Sequence, residues 1–520
     1  MQNINWENAA MTSEIDKLKE EINKLKLAIN NSEEEPLEEK EFEHPNVIPT
    51  SGAEAKEVET FINDEIILDV APELNTSSYV NINLDVEEKA LAVKGLQVNI
   101  ADQTVYPQSF KMHDKLVNMI ANLWNCPKPD DFDDYGCYPG ACTVGSTEAC
   151  LLAGLALKFR WRNWYAKKNN LSMNEVLGER PNIIISTCFQ AAWEKLIKYM
   201  DIEAKFIQPT AKDFKIDPKQ ALKLIDDHTI GVIAIMGNHY GGQYDPVWEL
   251  NNIVEEVNKN NNLQVGIHVD AASGGFIAPF QKGLPDWDFR LKNVLSISAS
   301  GHKFGESCIG TGWVVWRQRK DLSEHVAISV SYLGGQAESY TLNFSRPASG
   351  IYVQYYKFLR FGMAGYQKSC DHMMRHAHMI RSGLKKMQYK GKPRFTILDD
   401  GDKHCLPVVT AMLNPDCNFD YDDIDLQHAI SQQHWYVSGY RMGFEDPITK
   451  QIEPLFYDQN KKKTMFRVVV KANINNIMVE NLLQSIEESV NMLDSIQFKA
   501  NSLPSFKETH AEKNLYSKHC

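Results

Sequence analysis

The chain has 520 residues, 43 % of them hydrophobic and 24 % charged, which is ordinary for a folded globular protein with a large core. Its 55 basic and 68 acidic side chains give a formal net charge of −13. No basic block stands out, so a nucleic-acid binder, which needs clustered Lys and Arg, is not expected. No run approaches the ~18 consecutive apolar residues of a spanning helix, and the first residues are polar rather than signal-like. Ten scattered cysteines without a Cys-x-x-Cys pair read as reduced thiols. Together these features point to a cytoplasmic protein with no metal site.

Near the start, Ile15, Leu18, Ile22, Leu25 and Ile29 follow a heptad spacing behind a Ser13/Asp16 capping box. Two heptads are too few for an independent coiled coil. Residues 1–57 are therefore expected to hold an amphipathic helix that docks on the body or on a partner subunit, followed by an acidic linker from Ser32 to Glu43. The next segment, residues 58–110, follows, and the pattern from Glu57 to Asn99 is irregular. Leu116, Met119, Ile120 and Leu123 share one face of a helix expected over Met112–Trp124. Gly145-Ser146-Thr147 opens another helix pattern carried by Leu152, Leu155, Ala156 and Phe159. The N–H groups of a helix start bind phosphate well; the plainer alternative is a Ser/Thr N-cap.

Apolar, largely β-branched runs at Asn182–Thr187, Thr229–Met236, Val265–Val269, Val294–Ile297 and Gly312–Trp316 read as buried strands between helices. That alternation predicts a large α/β domain with a mostly parallel sheet over residues 111–378. Residues 379–494 read as a smaller α+β domain. Its strand candidates are Phe395–Leu398, Pro407–Met412 and Met465–Val470, and its last helix carries Val479, Leu482, Leu483, Ile486 and Val490 on one face. Residues 495–520 form a tail with His510 and His519.

The stretch Gln264–Lys303 organises the chain. Two strand runs end in Asp270 and in Ser300-Gly301-His302-Lys303, at the carboxyl ends where open α/β sheets bind ligands. A lysine that forms a Schiff base with pyridoxal phosphate needs an acid to keep the pyridine nitrogen protonated, and Asp270 and Lys303 suit those two roles. A helix-capping Asp and a surface Lys are the plainer alternative. The small residues Ala271–Gly275, permissive of close approach to a ligand, argue against it.

The segments HVDAASGGFIAPF, WDFRL and SISASGHKFG closely resemble the pyridoxal-phosphate glutamate decarboxylases of bacteria and plants, and the likeness runs from about Val58 to about Leu493. It implies the type I fold: a large cofactor-binding domain around a mostly parallel seven-stranded-type sheet, with a small C-terminal α+β domain. It also implies pyridoxal 5'-phosphate as cofactor, a homodimer or hexamer, and conversion of L-glutamate to 4-aminobutyrate and carbon dioxide.

By the same resemblance Lys303 carries the cofactor, Asp270 meets its ring nitrogen, and Gln190 stacks over its ring. Ser146 and Thr147 hold the phosphate, and His239, Ala272, Ser300 and His302 line the group. Ser345 falls on a serine that reaches the phosphate from the neighbouring subunit. Thr76, Asn99 and Asp102 fall on substrate-pocket positions, and Arg467, within MFRVVVKA, on the arginine for the substrate α-carboxylate. A planar guanidinium suits that contact; a structural salt bridge is the alternative.

Ser77, His239 and Glu306 depart from the family pattern, and Arg441–Lys463 is longer. These changes touch the substrate side, so aspartate or cysteine sulfinate stay open as substrates. Another pyridoxal-phosphate lyase or aminotransferase reaction and a non-catalytic subunit are further readings. Ser505-Phe506-Lys507 faintly resembles the tail with which bacterial relatives close the site as pH rises.

Overall fold

The computed structural model describes residues 51–496 except 325, 327, 331–336, 400 and 402–403, together with 19, 20, 24 and 47–49. The heptad residues Ile15, Leu18, Ile22, Leu25 and Ile29 and the tail carrying Ser505, His510 and His519 lie outside the described residues. Residues 1–69 form one unit and residues 70–520 another. In the first, a helix at Ala55–Ile66 is opened by a Glu54/Glu57 capping box.

In the second unit the apolar runs become strands because both their faces are covered. The strands are β1 (Gly140–Thr143), β2 (Asn182–Ser186), β3 (Glu203–Ile207), β4 (Thr229–Ile235), β5 (Gly266–Asp270), β6 (Val294–Ala299) and β7 (Gly312–Trp316). They form one seven-stranded sheet in the order β1-β7-β6-β5-β4-β2-β3. The pairs from β3 to β6 are parallel, whereas β7 runs antiparallel to both β6 and β1. This is the mostly parallel α/β sheet expected. The sequence pattern missed β1 and β3. β1 is only four residues long, and β3 is an edge strand that begins at exposed Glu203.

The helices are α1 (Val86–Gly95), α2 (Pro107–Leu123), α3 (Ser146–Asn169), α4 (Ala191–Tyr199), α5 (Val247–Asn261) and α6 (Ser349–Lys386). α2 starts five residues before its apolar periodicity because Pro107 occupies the first turn, where its missing N–H costs nothing. α6 breaks at Gly362, whose φ of +56° belongs to the left-handed region that glycine reaches without strain.

A second, antiparallel sheet contains β8 (Phe395–Ile397), β9 (Val408–Leu413), β10 (Ser438–Arg441) and β11 (Thr464–Val469) in the order β8-β9-β11-β10. α7 (Asp423–Ser431) packs on it, and α8 (Asn476–Ser495) packs against α7 and α6. The long connection between β10 and β11 pairs Gly443–Glu445 with Ile452–Pro454 and folds back towards the large sheet. There Phe456 meets Phe214 at 4.5 Å, and Pro454 O accepts a 2.8 Å hydrogen bond from Gln208.

Register positions the site. Asp270 on β5 pairs with Ser298 on β6, so the acid and the Ser300–Lys303 turn leave the sheet side by side. Thr143 pairs with Gly312, which brings the start of α3 to the same end. The approach there is so close that a Cβ on Gly312 would lie 2.3 Å from the carbonyl carbon of Gly145.

Candidate active site

Asp270 is buried at the end of β5 and is held by two donors. The Trp193 indole N–H reaches Oδ2 at 2.7 Å and the Ala272 amide reaches Oδ1 at 3.0 Å. Trp193 comes from α4, one turn after Gln190. The Gln190 side chain caps α4 by accepting from the Ala192 N–H at 2.9 Å, and this fixes its orientation. Behind the acid, His268 bridges Ser296 and Ser298 through its two ring nitrogens, at 2.8 and 3.0 Å. Burial drives its pKa down to about 3, so the layer under Asp270 carries no competing positive charge.

The Lys303 ammonium lies 3.4 Å from Ser273 Oγ and 5.2 Å from the centre of the Tyr79 ring. The neighbouring His302 ring accepts the Thr311 N–H at Nδ1, at 3.2 Å, which leaves its proton on Nε2. Burial, helped by the charge of Lys303, pushes His302 down to about 4, so the ring is neutral over most of the pH range. Ser300 donates to Ser146 Oγ at 2.7 Å, and its N–H to Ala272 O at 3.0 Å, which ties the Lys303 turn to both β5 and the start of α3. No side chain caps the first turn of α3. A Cβ on Gly145 would come within 3.1 Å of His302 Cε1, so the glycine keeps this cradle open.

Arg467 sits on β11 and is 1 % exposed. Its guanidinium lies between two rings, 4.8 Å from the centre of Tyr79 and 5.2 Å from that of Tyr440. It donates to Ser77 O at 2.6 Å and to His239 O, with the His239 ring nitrogens at 3.3 and 3.4 Å. Tyr79 donates its hydroxyl to the same His239 carbonyl at 3.0 Å, and burial raises its pKa to about 12. His239 is held well below its ordinary pKa by burial, with the charges of Arg467 and Lys303 adding to the effect. It therefore adds no positive charge beside the guanidinium.

Two expected pocket positions, Asn99 and Asp102, gather with Ser345. Asn99 donates to Asp102 at 3.2 Å and to the exposed Ser345 hydroxyl at 3.4 Å, and accepts the Arg346 N–H. Thr76 is fully buried, and its hydroxyl donates to Tyr436 O at 2.9 Å. Its N–H and carbonyl bind Tyr436 and Val469, so it stitches the 70s segment to β11. Glu306 does not turn its carboxyl to the Arg467 pocket; the carboxyl accepts from Ser369 on α6. Its charge is thus no obstacle to an acidic ligand there. Tyr79, Trp193, Ser273 and Thr311 are parts of the site that sequence patterns did not mark.

The donor set fits pyridoxal phosphate. Asp270 offers an oriented acceptor, Lys303 an amine beside it, and the open α3 terminus with Ser146 and Thr147 a phosphate seat. An acid and an amine at the ends of adjacent strands, with that helix start beside them, define an α/β pyridoxal-phosphate enzyme. Residues 88–409 match the pyridoxal-dependent decarboxylase conserved domain, and the chain belongs to that family.

The glutamate decarboxylase of Lactococcus lactis subsp. lactis is 35 % identical over 433 residues, covering 83 % of this chain and 86 % of that protein. The Petunia hybrida glutamate decarboxylase is 34 % identical over 453 residues, covering 87 % and 84 %. Among solved structures, the Lactobacillus brevis glutamate decarboxylase superposes with a TM-score of 0.77 at 33 % identity, covering 87 % of this chain and 96 % of that one. The chain is a pyridoxal-phosphate-dependent carboxy-lyase of this family. Among the described residues no helix is long and apolar enough to cross a membrane.

Proposed function

We propose that this enzyme removes the α-carboxylate of an acidic amino acid, L-glutamate above others, giving 4-aminobutyrate and carbon dioxide. One observation carries the reading: a single ring, Tyr79, contacts both the amine of Lys303 and the buried guanidinium of Arg467. An anion anchor thus stands one ring away from the cofactor lysine. The similar bacterial and plant proteins named glutamate decarboxylase support glutamate as the substrate.

Lys303 would hold the cofactor through Nζ, Ser146 and Thr147 its phosphate, and Asp270 its ring nitrogen. Bound there, pyridoxal phosphate supplies a sink for the electron pair left on the α-carbon when carbon dioxide departs. Asp270 would keep a proton on the ring nitrogen, and Trp193 and Ala272 fix where its oxygens point. Arg467 would hold the α-carboxylate, and Gln190, pinned at the start of α4, would face the cofactor ring. His302 presents its Nε2–H as a neutral donor. Tyr79, Tyr440 and His239 exclude water from the guanidinium, which strengthens its hold on an anion.

The exposed Ser345, joined to Asn99 and Asp102, would complete the site of a neighbouring subunit. The surface around it favours an interface. Glu148 accepts from the N–H groups of both Val144 and Asn343, at 2.8 and 2.9 Å, which sets exposed Val144 beside exposed Leu342 at the mouth of α3. These features support a homodimer, or a hexamer built from such dimers. The nine described cysteines are all free thiols, which suits a reducing cytoplasm. The test is carbon dioxide release from L-glutamate, L-aspartate and L-cysteine sulfinate by the cofactor-loaded protein. Release from glutamate, lost in Arg467→Ala, supports the reading, and turnover of aspartate alone overturns the substrate.

A further inference from the structure

Glu306 is the third residue after Lys303, and four features of its surroundings are specific to it. Its φ is +58°, in the left-handed region that a residue with a side chain enters at a cost. Its N–H closes the Lys303 turn by donating to Lys303 O at 3.1 Å. Its carbonyl accepts the Asn81 side-chain N–H at 2.8 Å, while the Asn81 backbone N–H donates to His302 O at 2.7 Å. Its carboxyl is 3 % exposed: Oε1 accepts from Ser369 on α6, and Oε2 is buried without a hydrogen-bond partner.

The groups facing that carboxyl leave no counter-charge for it. Lys357 on α6 points the same way, but its ammonium is committed to Glu88 of α1 at 2.7 Å, and both partners are buried. Tyr366 of α6 spends its hydroxyl on Gly305 O at 2.7 Å. With Glu306 neutral, the buried group of Glu306, Glu88 and Lys357 carries no net charge. With Glu306 ionised, it carries an unpaired anion beside Glu88, which buried surroundings penalise. Burial accordingly raises the Glu306 pKa, and Ser369 and Lys357 only partly oppose the rise.

We propose that Glu306 is a proton-bearing positioning residue for Lys303: as a neutral acid it rests buried against α6 beside the Lys303 turn, and loss of its proton leaves a buried anion without a counter-charge, which draws the carboxyl out of that seat and loosens the turn. The proposal rests on the reading of Lys303 as the cofactor lysine. It gives the enzyme a sensitivity to rising pH that is built into the body of the fold.

The test compares the wild type with Glu306→Gln, Glu306→Ala and Ser369→Ala. The first readout is thermal unfolding of the cofactor-free protein from pH 4 to 8. A carboxyl whose pKa is raised on folding contributes stability that is full below the unfolded value of about 4.5 and is lost as pH rises towards the folded one. The wild-type Tm is therefore expected to fall against that of Glu306→Gln by about 1–2 °C per pH unit over that window. The second readout, on the cofactor-loaded protein, is the visible band of the lysine-bound cofactor together with kcat. Both are expected to decline through the same pH interval in the wild type and to stay level in Glu306→Gln. Glu306→Ala should lower kcat at every pH. Ser369→Ala, which removes a donor that favours the charged form, should move the inflection upward, and a downward move overturns the proposal. A wild-type-to-Gln difference that is the same at every pH also overturns it. Absence of the visible band at all pH values would instead refute the role of Lys303, while the unfolding experiment would still stand on its own.

Discussion

The 2.7 Å hydrogen bond from Trp193 to Asp270 offers a direct way to measure what holds the Asp270 carboxylate in place. The indole is fully buried and the carboxylate 4 % exposed, so water replaces neither partner once the other is gone. Hydrogen bonds to charged groups contribute roughly 1.5–3 kcal/mol. At 1.36 kcal/mol per tenfold, Trp193→Phe is expected to weaken cofactor affinity roughly 10- to 150-fold. The ring volume lost is modest, so a double-mutant cycle isolates the bond. In an Asp270→Ala background the acceptor is absent, and Trp193→Phe should then cost little. Affinity is read by titrating the cofactor-free variants with pyridoxal phosphate and following its absorption. An equal cost in both backgrounds would refute the claim that Trp193 acts through Asp270.

Other outcomes follow from the same geometry. Tyr79→Phe removes one neutral hydrogen bond, to His239 O, and keeps the ring between Lys303 and Arg467; it should raise KM roughly 2- to 12-fold, from about 0.5–1.5 kcal/mol, whereas Tyr79→Leu should cost more. Arg467→Lys keeps the charge but loses the fork and both ring contacts, and should raise KM for an acidic substrate about 100-fold or more, in line with the worth of a charge-assisted bidentate contact. His302 becomes charged only as pH falls to about 4, so activity should hold through mildly acid pH and decline below that value in a pH–rate profile. If Ser345 serves the neighbouring subunit, two inactive single variants, Lys303→Ala and Ser345→Ala, should regain activity when co-expressed. Mixed dimers that stay as inactive as either parent would contradict the shared site.

The β-branched runs ending in Asp270 and before Lys303 marked the centre of the site, because a buried parallel strand must be apolar on both faces and its end is the first place a charge can stand. Ser146 and Thr147 were legible as a helix start beside glycine. What could not be read was set by partners distant in sequence. Thr76 gives its hydroxyl to Tyr436, 360 residues on. Trp193 carries no pattern in the sequence that marks it; only the fold sets its N–H on Asp270. Glu306 stood out as a charge next to the lysine, but only packing shows that its backbone turns left-handed and sends the carboxyl to Ser369 rather than towards Arg467. The short strand β1 and edge strand β3 escaped because neither carries a long apolar run.

The central claim is that Lys303 carries pyridoxal phosphate and that the assembled site decarboxylates an acidic amino acid. One assay tests it: the visible spectrum of the purified protein with pyridoxal phosphate, followed by carbon dioxide release from L-glutamate from acid to neutral pH, with Lys303→Ala alongside. The account predicts a lysine–cofactor band and carbon dioxide release in the wild type, both absent from the variant. A wild-type protein that binds the cofactor without that band, or a Lys303→Ala protein that keeps it, would contradict the account.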